Sequence, residues 1–411
     1  MKKAIKITII TLISLITIIV VGLFALLTII TKVDFTSAEE PKFITLTTTA
    51  DELDNAALAT SLNMPDSIRR NLEDYDYLVN FVEMNYAPFS AIMEKGYEQE
   101  YKTMKTQIRQ QIIQGEASIE KAVSDFVFWF FSQFDRHIMV QTNVFYRIKD
   151  TLFPRDIEII ECAPKAVSCK VDSCTWLIRV PSCDMSFEEQ TENAFQQFME
   201  SDCENLIIDV RSNGGGSDAI WWNCYFADLY DHPSNPFICW FRNTPDNLHF
   251  WEDLLKIYPT SAFIQRFTAR RNIKQFKSSK KDFVISFERA GDLGFRPTTR
   301  IHRAAILIDW YTASAAESLV GFVKRYSDRA KVYGVGNTYG ANFSGNCHSG
   351  TLPNSKIAFH YATTVHSDFY ENDFSGTPGI APDIIIPLPY PKILTDNIDE
   401  WVLWVAEDLK R

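Results

Sequence analysis

The sequence has little of what a nucleic-acid or nucleotide binder needs. No run of Lys and Arg is interleaved with aromatics, and 41 basic against 52 acidic side chains leave a net charge of −11 over 411 residues. That argues against a general nucleic-acid binder and describes a self-repelling surface. Neither G-x-x-x-x-G-K-S/T nor G-x-G-x-x-G occurs, which makes a nucleotide loop a weak reading. The eight cysteines contain no C-x2-C pair, so a zinc site ranks last, and no cofactor or metal is expected. With 46% hydrophobic and 23% charged residues, disorder is excluded as well, and the chain can bury one large or two ordinary cores.

What is present begins with an apolar run. Lys2, Lys3 and Lys6 precede an uncharged stretch from Ile7 to Ile30, long enough to span a bilayer. A cleavable signal peptide has a shorter apolar core, and Thr36-Ser37-Ala38 is only a weak cleavage site. An uncleaved anchor is therefore expected, with its basic flank in the cytoplasm and all that follows outside. In that compartment disulfides can form, and Cys162, Cys169, Cys174 and Cys183 crowd into one segment. One or two local disulfides are expected first, buried free thiols next.

The remaining chain divides by pattern. Residues 1–37 read as a cytoplasmic tip and anchor, 38–66 as a polar tether and 67–136 as a helical module. Residues 137–411 read as the core, with an insertion at about 232–300. Within the core, Thr175-Trp-Leu-Ile-Arg-Val180 reads as a strand, Phe187 to Met199 as a helix and Leu206-Ile-Ile-Asp-Val210 as a second buried strand. That order implies a parallel sheet with a crossover helix. The second strand runs into Gly214-Gly215-Gly216, where bare backbone N–H groups can approach a ligand. A tight turn with no other role is the plainer alternative.

The pivot of the chain is Tyr311-Thr-Ala-Ser314-Ala-Ala-Glu317. Ala304 to Asp309 reads as a buried strand, while Leu319, Phe322, Val323 and Tyr326 recur on one helical face. Ser314 then stands at the strand-to-helix turn, with free N–H groups and the positive end of the helix beside its hydroxyl. The same four residues, Ser314 to Glu317, also satisfy a capping box, in which Ser and Glu merely close the first turn.

Four pieces, in order, resemble the C-terminal processing, or tail-specific, serine protease family, whose relatives include the tricorn core. D-x-R-x-N-x-G-G is similar to Asp209 to Gly216, S/T-A-S-A-x-E to Thr312 to Glu317, G-x-x-T-F/Y-G, with slightly altered spacing, to Gly336 to Gly340, and G-I/V-x-P-D-I to Gly379 to Ile384. The resemblance implies an α/β fold with a crotonase- or Clp-like ββα core. It implies Ser314 as nucleophile, with the N–H groups of Gly215 and Ala315 as oxyanion hole.

Where the main branch of the family carries its lysine base, this chain has Ala341, so a Ser-Lys pair is not available there. The tricorn-like branch uses a histidine, and its D-x-H element resembles Asp135-Arg136-His137. His137 is therefore the expected base, with a pKa suited to proton transfer. Glu371 is the expected orienting acid, ahead of Asp373 and Asp368, while His348, His360 and His366 remain alternative bases. Fewer than about 40 residues separate His137 from the strand at Thr175, too few for the PDZ module that many family members insert.

Two functions of different class follow. One is a membrane-anchored, extracytoplasmic serine endopeptidase that cleaves peptides or unfolded proteins through a Ser314 acyl-enzyme. The other is an inactive member of the fold that binds a peptide or apolar ligand, suggested by the missing lysine and by Trp221, Trp222 and Trp240. A histidine in reach of Ser314 and itself touching a carboxylate would favour the first.

Overall fold

The computed structural model describes residues 41–46, 64–152, 157–223, 226–232, 237–289, 300–367 and 378–411. Apolar residues at threes and fours wind the first part into α1 (Asp66–Asn85), α2 (Pro88–Ile92), α3 (Glu98–Ile113) and α4 (Ile119–Asp125). α4 continues as a π-helical segment, Phe126–Phe131, whose aromatics are buried except Trp129. Tyr101 packs on Phe89 and Phe130 with ring centroids 5.2 Å apart in each pair, so this aromatic helix is core.

The strands come next. β1 (Met139–Val140), α5 (Asn143–Lys149), β2 (Glu161–Cys162) and β3 (Val167–Lys170) lead to β4 (Thr175–Arg179), α6 (Glu188–Glu200) and β5 (Asn205–Asp209). After α7 (Ala219–Asn223) come β6 (Phe237–Arg242), α8 (Pro245–Ile257), α9 (Phe263–Ser278), β7 (Phe283–Arg289) and β8 (Arg303–Leu307). The chain closes with α10 (Ala315–Tyr326), β9 (Ala330–Gly334), β10 (Ser344–Thr351), β11 (Ala358–His366), β12 (Ile384–Ile385), β13 (Ile393–Leu394) and α11 (Glu400–Asp408).

Six strands form one sheet in the order β12-β9-β8-β5-β4-β3. All its pairs are parallel except β3 with β4. Its central strands are buried on both faces and so read as continuous apolar runs. Ile208 and Ile306 face α10 through Leu319 and Val323, whereas Ile207 and Leu307 face α11 through Trp401 and Val405. The second sheet is antiparallel, in the order β1-β11-β6-β7 with β10 also on β11.

The stretch read as an insertion is integral to that second sheet. β6 pairs β11 and β7, and α8 and α9 bury Trp251, Ala269 and Phe276 against Phe241 and Val284. The expected disulfides are absent among the described residues, where seven cysteines are free. Their thiols meet other groups: Cys162 meets Ser212, Cys174 meets Asp172 and Cys183 meets Asn213. No described helix is long and apolar enough to cross a membrane, and the run from Ile7 to Ile30 lies outside the described residues.

One buried ionic cluster ties the neighbouring strands β4 and β5 to the last helix. Arg179 and Arg211 both bond Asp209 at 2.7 Å, and both reach Asp399, the N-cap of α11. Every one of these side chains is buried, so removing one partner leaves an uncompensated charge. Asp399→Ala is expected to destabilise the fold by about 3–5 kcal/mol, read as a lower urea midpoint with an unchanged slope.

Candidate active site

The two loops at the carboxyl ends of β5 and β8 are pinned to one another before either can present a side chain. Buried Asp309 accepts the N–H groups of Ser212, Tyr311 and Thr312 and the hydroxyl of Tyr390. Thr312 Oγ1 donates to Val210 O, and Ala313 N–H to Asn213 O. Gly215 must be glycine here, since its φ is +96° and a Cβ would lie 2.7 Å from Ser314 Cβ and 2.8 Å from Ala313 O.

Ser314 itself has φ 55° and ψ −120°, a conformation that non-glycine residues rarely adopt. Glu317 holds it there. Its buried carboxylate accepts Ser314 N–H at 3.0 Å, Gly340 N–H at 2.8 Å and Ala341 N–H at 2.7 Å, together with the Thr338 hydroxyl. Burial raises the Glu317 pKa, and these donors oppose the rise. The capping reading and the functional reading of Ser314 are thus compatible, since the cap is what sets its conformation.

His137 arrives from the other side, on the loop between the aromatic helix and β1. Arg136 N–H donates to Gly340 O at 3.0 Å and its guanidinium to Tyr339 O at 2.6 Å, so the histidine loop is tied to the loop that Glu317 holds. His137 Nε2 then stands 3.1 Å from Ser314 Oγ, and Nδ1 stands 2.9 Å from Asp135 Oδ1 and 3.0 Å from Ser344 Oγ. Asp135 is buried and also accepts the Tyr86 hydroxyl at 2.8 Å.

The charges follow from this packing. Burial alone would lower the His137 pKa, but the Asp135 carboxylate outweighs it, with Glu317 and Asp218 adding to the effect, and leaves the imidazole above its ordinary value. Burial would raise Asp135, and the imidazole and its hydrogen bonds outweigh that and hold the carboxyl low. With Asp135 on Nδ1, the proton belongs on that nitrogen and the Nε2 lone pair faces Ser314.

The sequence-predicted residues are only partly assembled as expected. Ser314, His137, Gly215 and Ala315 come together. Glu371, Asp368 and Asp373 lie outside the described residues, and the carboxylate that meets His137 is Asp135, two positions before it. Gly215 N–H is not a free donor, because the turn folds it onto Asn213 Oδ1 at 2.9 Å; Ala315 N–H, at the start of α10, has no such acceptor among the described residues. Ala341 is buried and brings only its N–H, to Glu317.

The alternative histidines sit on the antiparallel sheet: His360 bonds Gln141 and Ser349, His348 stacks on Tyr361, and His366 ends β11 opposite Cys239. Trp221 is buried and donates its indole N–H to Ala315 O at 2.6 Å. Sequence reasoning missed Asp135, Ser344, Tyr86 and Asp218. For Asp135 a signal existed in the D-x-H spacing, which lets one carboxylate bond both the backbone N–H and the ring of the same histidine.

The profile of peptidase family S41 matches residues 175–386, just over half of the chain. The chain belongs to peptidase family S41. This is a family of serine hydrolases, and its fold here carries the glycine loop, Ser314 and the Gly-Ile-Ala-Pro-Asp element within the matched stretch. Among solved structures, a CPAF mutant is 12% identical and aligns over 84% of this chain and 98% of its own, with a TM-score of 0.53. Mature CPAF is 15% identical over 84% of this chain and 96% of its own, with a TM-score of 0.51. At such identities these structures show a shared fold. The photosystem II D1 C-terminal processing protease is 14% identical over 56% of this chain and 46% of its own, with a TM-score of 0.29. No curated protein matches the chain. His137 and Asp135 precede the matched stretch of this S41 chain.

A Cβ at position 215 should disrupt the S41 site more than the fold at large. Gly215→Ala is expected to abolish labelling of Ser314 by a fluorophosphonate, while Gly214→Ala, where a Cβ meets nothing within 4 Å, keeps most of it.

Proposed function

We propose that this S41 chain is a serine peptidase that cleaves peptides or unfolded proteins through an acyl-enzyme on Ser314. The observation that carries the reading is the 3.1 Å approach of His137 Nε2 to Ser314 Oγ, with Asp135 on the opposite ring nitrogen. In the first step Ser314 Oγ attacks the scissile carbonyl as its proton passes to His137 Nε2. Asp135 keeps the Nδ1 proton in place and stabilises the imidazolium. That imidazolium then protonates the leaving amine. Water, deprotonated by the same nitrogen, releases the acyl group and restores Ser314.

The tetrahedral oxyanion is taken up by the N–H of Ala315 and the N–H of Gly216. Gly216 is assigned in place of Gly215 because Gly215 N–H is taken by Asn213 Oδ1, whereas Cys183 bonds only the neighbours of Gly216, Gly215 O and Ser217 N–H, and leaves the Gly216 N–H on the side away from itself. Such preorganised donors are worth a few kcal/mol each. Glu317 acts one step removed, by holding the Ser314 backbone. We further propose that residues 7–30 anchor the chain and place this site outside the cytoplasm.

The test is fluorophosphonate labelling and cleavage of an unfolded protein. Ser314→Ala and His137→Ala should each abolish both, and Asp135→Asn should slow both on the order of 10³–10⁴-fold. A folded chain that neither labels nor cleaves would refute the reading.

The pH profile has a defined sign. Only neutral His137 can accept the serine proton, and its pKa is raised. Labelling should therefore be weak in acid and rise through one ionisation lying above the ordinary histidine value. Asp135→Asn removes the main cause of that elevation, so the midpoint should fall together with the rate.

A further inference from the structure

The hairpin of α8 and α9 carries a surface that the site does not use. From Pro259 to Lys281 there is no Asp or Glu, and residues 245–281 hold eight Lys and Arg against three Asp and Glu, in a chain whose net charge is −11. At 100° per residue, Phe263, Phe267, Arg270, Arg271, Lys274 and Lys277 fall within an arc of about 120° on α9. Ala269, Asn272 and Phe276, which are buried, lie on the opposite arc.

The outward face is therefore apolar at one end and cationic at the other. Phe263 is 78% exposed and Phe267 62%, and Ile257, at the adjoining end of α8, is 74% exposed. Arg270, Arg271 and Lys274 are exposed and make no ion pair among the described residues, while Lys277 bonds Glu252 at 2.9 Å. Phenylalanines beside cations on one exposed helix suit the boundary between lipid headgroups and acyl chains, where the rings enter and the cations meet anionic headgroups.

The course of the chain favours lipid over an acidic protein. Phe43 packs under the Arg242 guanidinium, 3.7 Å from ring centroid to its carbon. Arg242 ends β6, three residues before α8, and its guanidinium also bonds Asp282, which lies between α9 and β7. Phe43, thirteen residues after Ile30 in sequence, thus lies at the base of this hairpin.

We infer that the exposed face of α9, with Phe263 and Phe267 inserted and Arg270, Arg271 and Lys274 on headgroups, docks on an anionic lipid surface. Docking there would give the domain a fixed attitude to the bilayer rather than free rotation on its tether. The inference is independent of whether Ser314 is reactive.

The full-length chain, reconstituted in vesicles of phosphatidylcholine with phosphatidylglycerol, is made with photoreactive benzoylphenylalanine in place of Phe267. A second sample carries it in place of Trp129, which is 64% exposed on the helical module. Lipid adducts, read as added mass after illumination, should be about tenfold more abundant at position 267 than at 129. They should fall to the level at 129 in pure phosphatidylcholine, and also in Arg270→Glu/Arg271→Glu/Lys274→Glu, whose unfolding temperature should stay near that of the parent. Equal yields at the two positions, or a yield at 267 that ignores both headgroup charge and charge reversal, would overturn the inference. So would adducts at 267 that, in native membranes, are with a protein rather than lipid.

Discussion

Four hydrogen bonds converge on the buried carboxylate of Glu317, and through them the site becomes one object. Three come from backbone N–H groups, of Ser314, Gly340 and Ala341, and one from Thr338 Oγ1. A backbone N–H cannot turn away as a hydroxyl can, so the carboxylate fixes where two separate loops stand. One end of this arrangement sets the unusual dihedrals of Ser314. The other holds residues 338–341, whose carbonyls at Tyr339 and Gly340 receive Arg136 and so carry His137. Ser314 and His137 are 177 residues apart in sequence, and this short chain of bonds is what relates them.

A second constraint lies beneath it. Asp309 and the Arg179, Asp209, Arg211 and Asp399 cluster fasten the glycine loop and the serine turn to the ends of β5 and β8. Ionic groups so deeply buried add little net stability over apolar packing, because desolvation offsets their attraction. What they add is geometry, since each guanidinium bonds a fixed pair of carboxylates. Two sheets of opposite kind then share the work: the parallel sheet presents Ser314 and the glycine loop, and the antiparallel sheet, through β1 and β10, presents His137 and Ser344. The site lies where loops at the carboxyl ends of parallel strands meet a second layer, a usual place for chemistry in open α/β sheets.

The loss of a lysine at Ala341 reads differently once this is seen. The backbone of that position is still used, since its N–H is one of the donors to Glu317. The side chain is small and buried, and the imidazole that approaches Ser314 comes from a different element. The Ser314–His137 contact and the Glu317 anchor are compatible because Glu317 takes the N–H groups of residues 340 and 341 while Arg136, beside His137, takes the carbonyls of 339 and 340.

Much of this was legible in the chain. Continuous apolar runs such as Leu206 to Val210 specify parallel strands, because a strand covered on both faces has no solvent side to alternate with. The glycine at 215 and the serine at 314 announce themselves as the residues of two strand-to-helix turns, and Asp135-Arg136-His137 carries a local pattern. Other features had no local signature. Whether β6 and β7 belong to the core, which carboxylate meets His137, that Gly215 N–H is turned onto Asn213, and that cysteines close in sequence stay apart are all decided by contacts between distant segments. Short-range periodicity is set by which face of an element is buried, and the sequence records that. The identity of the atoms across a loop junction is set by how whole sheets pack, and only the tertiary structure determines it.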